Sequence, residues 1–225
     1  MTFSLLVFTL NEIECITSVM PRINREWLDE ILIIDGGSTD GTIEYAESQG
    51  FSVYRQKEKG LIAAYREGIQ VSKGDAFIIF TPDGNMLPEK LPELTAKMKE
   101  GYDVVIVSRY KDGAKSEDDS IVSGFGNWMF TTLVNVLFKA NYTDVLGAYR
   151  AYRKDIFQKS SIKVNQRPVE TRICIRAKKL GLKVAEIPGD EPKRIGGVRK
   201  MSIIKNGSGT VFQIIYDLFF FHPNK

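Results

Sequence analysis

The segments "SLLVFTL", "EILIIDGG", "DAFIIFTPDGN" and "DVVIVSRY" constrain this chain more than any other feature. Each holds a near-continuous apolar run. Such runs suit strands buried on both faces, as in a parallel sheet covered by helices. The stretches between them read as helices. One is expected from about Asn11 to Met20. Another runs through "TIEYAESQG", with Ser38 or Asp40 as cap and Gly50 at its close. "FSVYRQ" is a short third strand. "LIAAYREGIQVSKG" is a helix ending at Gly74, and "LPEKLPELTAKMKEG" is a helix with proline at its start. Strands alternating with helices imply a mostly parallel sheet with right-handed crossovers. In such sheets ligands bind beyond the carboxyl ends of the strands. The turns Thr9–Glu12, Asp35–Asp40, Thr81–Asn85 and Ser108–Tyr110 all fall there.

After Tyr110 the pattern changes. "KDGAKSEDDS" reads as a mobile polar loop. A less regular half follows from about residue 120. It holds "TDVLGAYRAYRKDIF", a helical "VETRICIRAKKLG", the strand "KVAEIPG" and the basic "KRIGGVRKM". No stretch reaches the roughly 18 apolar residues that cross a bilayer. "NWMFTTLVNVLFKA" (127–140) and "TVFQIIYDLFFF" (210–221) come partway. Each fits a core or dimer-interface helix, or a helix lying on a membrane surface.

Composition excludes several chemistries. With 31 basic and 28 acidic residues, the net charge of +3 gives no ground for a nucleic-acid partner. Cys15 and Cys174 are far apart, and His222 is the only histidine, so zinc sites and His-based triads are not expected. "MTFSLLVFTLNE" lacks a basic n-region and a small-residue cleavage site. It reads as a first strand, and a cytoplasmic location is the expectation. No GxGxxG or GxxxxGK[ST] loop is present.

The strand-end turns carry the candidate chemistry. Asp35 follows "ILII" and precedes Gly36 and Gly37. A carboxylate there can accept hydrogen bonds from a nucleobase or ribose, and the glycines let a ligand approach the backbone. The alternative, an Asx-turn with helix cap, suits Asp40 better. Asp83 and Asn85 place two oxygens on one turn. Hard cations take one or two such oxygens and leave other positions to water and phosphate. Arg109 ends "VVIVS" at the same edge. Arg194 lies in a glycine-flanked basic loop that can close over phosphate. Glu170 stands at the start of a helical pattern, where an acid also suits the helix dipole.

Taken in order, these segments resemble glycosyltransferase family 2, and within it the dolichyl-phosphate mannose or glucose synthase-like branch. "FTLNEIECI" resembles the family opening P-T-Y-N-E-x-x-N-I, and "IIDGGSTDGT" resembles V-D-D-G-S-T-D-G-T. "KGLIAAYREGI" resembles G-L-G-x-A-x-R-x-G, and "FTPDGNMLPE" resembles D-A-D-G-Q-x-x-P-E. "VIVSRY", "DVLGAYRAYRKDIF", "VETRICIRAKKLGLKVAEIP" and "RIGGVRKM" follow in family order. Departures are equally specific. Phe8 and Leu10 replace the opening Pro and Tyr, and Gly36 replaces the second Asp of D-D-G-S. Thr81 replaces the first Asp of the metal triplet. Leu146-Gly147-Ala148 replaces T-S-G.

The resemblance implies a GT-A fold: a Rossmann-like, mostly parallel central sheet flanked by helices, with a less regular acceptor-side half. One domain would span 1–225, with a nucleotide-sugar half at about 1–110, an acceptor half at about 120–205 and an apolar helix at 206–225. It implies inverting transfer from a UDP- or GDP-sugar. Thr9, Asn11, Glu12, Asp35, Gly37 and Ser38 would hold the donor. Arg66 and Arg194 would lie near its diphosphate. Asp83 with Asn85 would hold Mg²⁺ or Mn²⁺. Asp83, Arg109 and Glu170 form the catalytic set, with Asp144 as reserve base. The acceptor is either a polyprenyl phosphate, already ionised, or a glycan or glycolipid hydroxyl, which needs a base. Lipid-phosphate branches usually carry an arginine before the apolar helix. Here Lys139 is the only basic residue between Lys115 and Arg150. A role in polysaccharide or glycoconjugate synthesis, peripheral contact with the inner face of a membrane and a homodimer complete the expectations. A nucleotidyltransferase and a catalytically weak nucleotide-sugar-binding protein are the competing readings.

Overall fold

The apolar run at the N-terminus becomes β1 (Phe3–Thr9), a strand with every residue buried. Its neighbours are β2 (Glu30–Asp35) and β4 (Ala76–Phe80), both parallel to it. β3 (Ser52–Arg55) extends one edge. β5 (Val104–Ser108), β6 (Arg150–Arg153) and β7 (Val184–Pro188) complete a seven-stranded sheet in the order β3-β2-β1-β4-β6-β5-β7. All pairs are parallel except those of β6, which lies antiparallel between β4 and β5. The structure is a computed structural model and describes residues 1–162, 164, 168–196 and 203–222. The mixed α/β class with a mostly parallel sheet agrees with the sequence expectation.

Alternation within each strand divides the core into two layers. Leu6, Phe8, Ile34, Phe77, Ile79 and Ile106 point to one face. There they meet α3 (Leu61–Val71), α5 (Ile121–Phe138), α7 (Val169–Leu180) and α8 (Ile203–Phe219). Leu5, Val7, Ile33, Ile78, Phe80 and Val107 point to the other. They meet α1 (Ile13–Val19), α2 (Thr42–Ser48) and α4 (Leu91–Lys99). A short α6 (Ile156–Lys159) follows β6.

Three sequence expectations are corrected here, and one pair of alternatives is decided. The first helix is shorter than Asn11–Met20, because Asn11 sits at φ 53° and Pro21 turns the chain into a 3-10 segment at Met20–Arg22. α3 stops at Val71, and extended Ser72 follows it. Asp40 rather than Ser38 serves α2, its carboxylate accepting from the Thr42 N–H and hydroxyl. The apolar helix begins at Ile121, not Asn127, with the Ser120 hydroxyl accepting from the Ser123 N–H. α5 is therefore 18 residues long and, by length and composition alone, long and apolar enough to cross a membrane.

α8 is fastened to α7 by a buried pair. Arg176 reaches Asp217 with two guanidinium nitrogens, at 3.0 and 2.9 Å. The Gln213 amide donates to the other Asp217 oxygen at 2.7 Å. Losing one partner of a buried pair strands the other charge. Asp217→Ala is therefore expected to destabilise the protein by about 3–5 kcal/mol and to speed amide exchange in α8 ahead of the sheet. Urea denaturation with hydrogen-exchange mass spectrometry checks both.

Candidate functional site

The carboxyl ends of β1 and β2 are in register, Thr9 opposite Asp35. Their exit turns lock together. Thr9 and Ser38 donate their hydroxyls to Asp35 Oδ2 at 2.8 and 2.6 Å. The N–H groups of Gly37 and Ser38 donate to Oδ1 at 2.8 and 2.7 Å. Gly37 adopts φ 98°, a region L side chains rarely enter. The Asn11 N–H donates to the Ser38 hydroxyl, and Asn11 Oδ1 accepts from the Thr39 N–H. Asp35 is thus fully buried and bonded four ways. This corrects its reading as an open acceptor for a base or ribose: the side chain shapes the turn. Glu12 follows on the same edge, its N–H donating to the Thr42 hydroxyl.

β4 delivers the turn Thr81–Asn85. The Thr81 hydroxyl and the Asn85 N–H both donate to Asp83 Oδ1, at 3.1 and 3.2 Å. Burial pushes the Asp83 carboxyl above its ordinary range, against the pull of Arg194. The guanidinium of Arg194 lies 3.7 Å from Asp83 Oδ2 and donates to Asn85 Oδ1 at 3.0 Å. It also donates to Asp118. The strand-end turn and the basic loop are stitched by backbone as well: the Ile195 N–H donates to the Asp83 carbonyl, and the Asn85 amide donates to the Pro192 carbonyl. A Cβ on Gly84, itself at φ 92°, would come within 2.8 Å of Ile195. Only glycine lets the strap pass so close. The remainder of the basic run, 197–202, lies outside the described residues.

Arg109 occupies a different setting from the one its position suggested. Its Nε and Nη2 donate to the two Asp144 oxygens at 2.7 and 3.0 Å, and Nη1 lies 3.3 Å from both Asp119 and Glu191. With three carboxylates around it and little exposure, Arg109 is a structural hub rather than an open catalytic cation. Asp144 is fully buried in that pair and also accepts from the Gly147 N–H. Burial alone would raise its pKa, but the Arg109 charge outweighs it and holds the carboxyl below the usual range. Asp144 is therefore unsuited to act as a base.

The other expected residues fall in two places. Glu170, at the start of α7, accepts from the Tyr65 hydroxyl at 2.8 Å and lines a small cleft with Thr81, Met86 and Leu146. That cleft brings Glu170 beside the Thr81 end of the metal-candidate turn. Arg66 instead pairs with Glu58 at 2.8 Å on an exposed stretch of α3, and no described contact brings it to Asp83. Cys15 lies against Glu12. Burial and the neighbouring acids push its thiol up to about 11, which excludes a thiolate nucleophile at neutral pH. Among the described residues, no three His, Cys, Asp or Glu side chains form a ready-made metal cage.

Sequence reasoning missed Asp118, Asp119 and Glu191. Asp118 and Asp119 belong to a loop read as mobile and Glu191 to the segment after β7, yet 115–119 is pinned to that segment by backbone bonds of Glu117 and Glu191 and by the Ser116 hydroxyl on the Glu191 carboxylate. An acidic "SEDD" and a basic "KRIGGVRK" in one chain were the available signal.

The model of "Glycosyl transferase family 2" matches residues 4–160. "Glycosyltransferase AglJ" of Haloferax volcanii is 28% identical over 213 residues, spanning 92% of this chain and 69% of that protein. The undecaprenyl-phosphate mannosyltransferase of Micrococcus luteus is 28% identical over 208 residues, spanning 86% and 85%. Among solved structures, the glucosyl-3-phosphoglycerate synthase of Mycobacterium tuberculosis, in complex with Mn²⁺, UDP and glucosyl-3-phosphoglycerate, superposes with a TM-score of 0.68 at 21% identity. That match covers 96% of this chain and 79% of the other, and shows the shared fold.

Asp144→Asn tests the hub. Removing one charge of the buried pair is expected to cost about 3–5 kcal/mol at neutral pH. Because the folded-state pKa of Asp144 is lowered, its contribution is present above the unfolded value of about 3.9 and fades as pH falls through the folded one. The gap between wild type and variant in urea melts should shrink on going from neutral to strongly acidic pH.

Proposed function

The chain belongs to glycosyl transferase family 2, and on that footing we propose that it moves a sugar from a UDP- or GDP-sugar to an acceptor in one inverting displacement aided by a divalent cation. The observation that carries this reading is the Arg194 guanidinium set beside Asp83 and Asn85. A cation already stands next to the two oxygens proposed for metal, on a turn with one carboxylate. Mg²⁺ and Mn²⁺ sites filled largely by substrate phosphates need no more than that. Asp83 and Asn85 would hold the ion, with the Thr81 hydroxyl steadying Asp83. The metal, when bound, would neutralise charge on the departing diphosphate. The chain's own residues do the rest. The locked turns of Thr9, Asn11, Glu12, Gly37 and Ser38 shape the donor edge in the 1–110 half. Arg194, carried on its strap, moves from the carboxylate to the diphosphate. Glu170 takes the acceptor proton if the acceptor is a hydroxyl.

The acceptor is proposed to be met at a membrane surface, for glycan or glycolipid assembly. α5 carries no charged residue, and Ile121, Val122, Phe125 and Val136 are all more than half exposed. On α8, packed beside it, Phe212 and Phe219 are 65% and 64% exposed. Five basic and no acidic residues lie between 193 and 205. An apolar face next to a basic run suits an anionic bilayer. A second copy of the chain is the rival occupant of this face.

Three outcomes follow. A matched nucleotide-sugar with Mn²⁺ should stabilise the wild type by about 2.7 kcal/mol at a hundredfold excess over Kd, and Asp83→Ala should lose that metal-dependent gain in thermal-shift assays. Arg194→Ala should bind Mn²⁺ more tightly than wild type without nucleotide, read by electron paramagnetic resonance titration, since the competing cation is gone. The protein should sediment with anionic vesicles, and each of Phe212→Ser and Phe219→Ser should weaken that by roughly ten- to a hundredfold, from about 1.5–3 kcal/mol per buried side chain. A dimer in analytical ultracentrifugation that these substitutions dissociate, with no vesicle binding, would favour the second copy.

A further inference from the structure

A second cleft, which shares no lining residue with the one that holds Glu170, has a volume of about 270 Å³. Its walls are α5, Tyr110 and the residues Tyr142 and Thr143. α5 is apolar over most of its length, yet Asn127, Thr131 and Asn135 recur at helical spacing and line this cleft together. A polar stripe on a helix ordinarily faces water. Here Asn127 is 2% exposed and Thr131 is 6% exposed.

Most of the lining is already committed. The Tyr142 hydroxyl donates to the Cys174 carbonyl, Asn135 bonds the backbone of Tyr142 in both directions, and the Thr131 hydroxyl accepts from the Val145 N–H. Asn127 is the exception: its buried Oδ1 accepts no hydrogen bond from any of the described residues. A buried amide oxygen without a donor costs about 1–3 kcal/mol. Beside it stand the exposed Trp128 ring and the Thr132 hydroxyl.

None of the eight lining residues is charged. The Tyr110 hydroxyl in the cleft wall donates to Asp119, and among the described residues the carboxylates of Asp83, Asp118, Asp119, Asp144 and Glu191 outnumber the guanidiniums of Arg109 and Arg194 that pair with them. Phosphate recognition calls for arginine, lysine or free backbone N–H groups, and the cleft offers no basic side chain. An unpaired amide oxygen, a hydroxyl and an open indole face are what a neutral polyol engages, by hydrogen bonds and by stacking its C–H face on the ring.

We propose that this cleft binds a sugar ring of the acceptor, so that the acceptor is a glycan or glycolipid hydroxyl rather than a lipid phosphate. This rests on the glycosyltransferase reading above and narrows its acceptor class. The volume falls just under the roughly 300–1,000 Å³ of sites for drug-sized ligands, which fits one pyranose ring. Asn127 Oδ1 accepts from a ring hydroxyl, Thr132 adds a second hydrogen bond, and Trp128 covers the apolar face.

The test uses the full chain carrying Trp27→Phe, which leaves Trp128 as the sole tryptophan. Its fluorescence is titrated with methyl glucoside, mannoside and galactoside, and separately with inorganic phosphate and farnesyl phosphate. At least one glycoside should shift the Trp128 emission saturably, and neither phosphate should. Asn127→Leu in this background should raise the glycoside dissociation constant at least about tenfold, equivalent to about 1.4 kcal/mol. Thr132→Val, at an exposed helical position, should also weaken binding and serves if Asn127→Leu does not fold. A response to phosphate or farnesyl phosphate without one to any glycoside overturns the proposal. So does silence of Trp128 toward every probe in protein that still binds nucleotide-sugar by thermal shift, an outcome that leaves the glycosyltransferase reading standing. Absence of nucleotide-sugar binding instead strikes that reading itself.

Discussion

The guanidinium of Arg109 receives carboxylates from three separate segments: Asp144 after α5, Asp119 before it, and Glu191 after β7. Burying a lone guanidinium is prohibitive, so the side chain at the end of β5 is tolerable only with these partners in place. The dependence also runs the other way. Glu191 holds the start of the strap against Ser116 and Arg109, and the strap then carries Arg194 to Asp83 and Asn85. The mouth of the candidate site is thus arranged by one buried cation. Two guanidiniums do not neutralise five carboxylates, and burial beside the other acids pushes the Glu191 carboxyl upward. Counted over the described residues, that surplus attracts a divalent cation.

The sheet was largely legible because its central strands are buried on both faces. A continuous apolar run leaves few other structures, and the alternate residues of β1 do face two different helical layers. β6 was not legible. "RAYR" carries two charges in four residues, and nothing local announces a strand inserted antiparallel between β4 and β5. Arg150 is accommodated there because its guanidinium is spent on the carbonyls of Gly147, Glu170 and Asp144. Gly147 and Asp144 are near in sequence, but Glu170 is 20 residues away and reaches Arg150 only through the tertiary fold.

Within the site, positions were legible and orientations were not. A strand followed by a glycine-rich acidic turn places Asp35, Asp83 and Arg109 at one edge of the sheet, as expected. Whether each side chain faces outward depends on donors elsewhere. Asp35 turns inward because Thr9 lies opposite it in register and two backbone N–H groups converge on its other oxygen. Asp83 keeps one oxygen toward the strap because only its Oδ1 is claimed by Thr81 and Asn85. Identical residue types at equivalent strand ends thus end up held in different ways.

Thr81 gains its meaning from that contrast. A second carboxylate at this position would sit within hydrogen-bonding reach of Asp83 Oδ1, in a turn where burial already raises the Asp83 pKa. Two adjacent acids would raise it further, or demand a resident cation to stay ionised. A threonine instead donates to Asp83 and favours its charged form. The turn can then persist without metal, with Arg194 as the only cation near it among the described residues. Loss of the carboxylate and the arginine-held strap belong together: the first lowers the charge the turn must carry, and the second supplies what remains. The consequence is a turn neutralised at Asp83 by Arg194, where a cation that arrived would replace a guanidinium and not fill an unscreened acidic pocket.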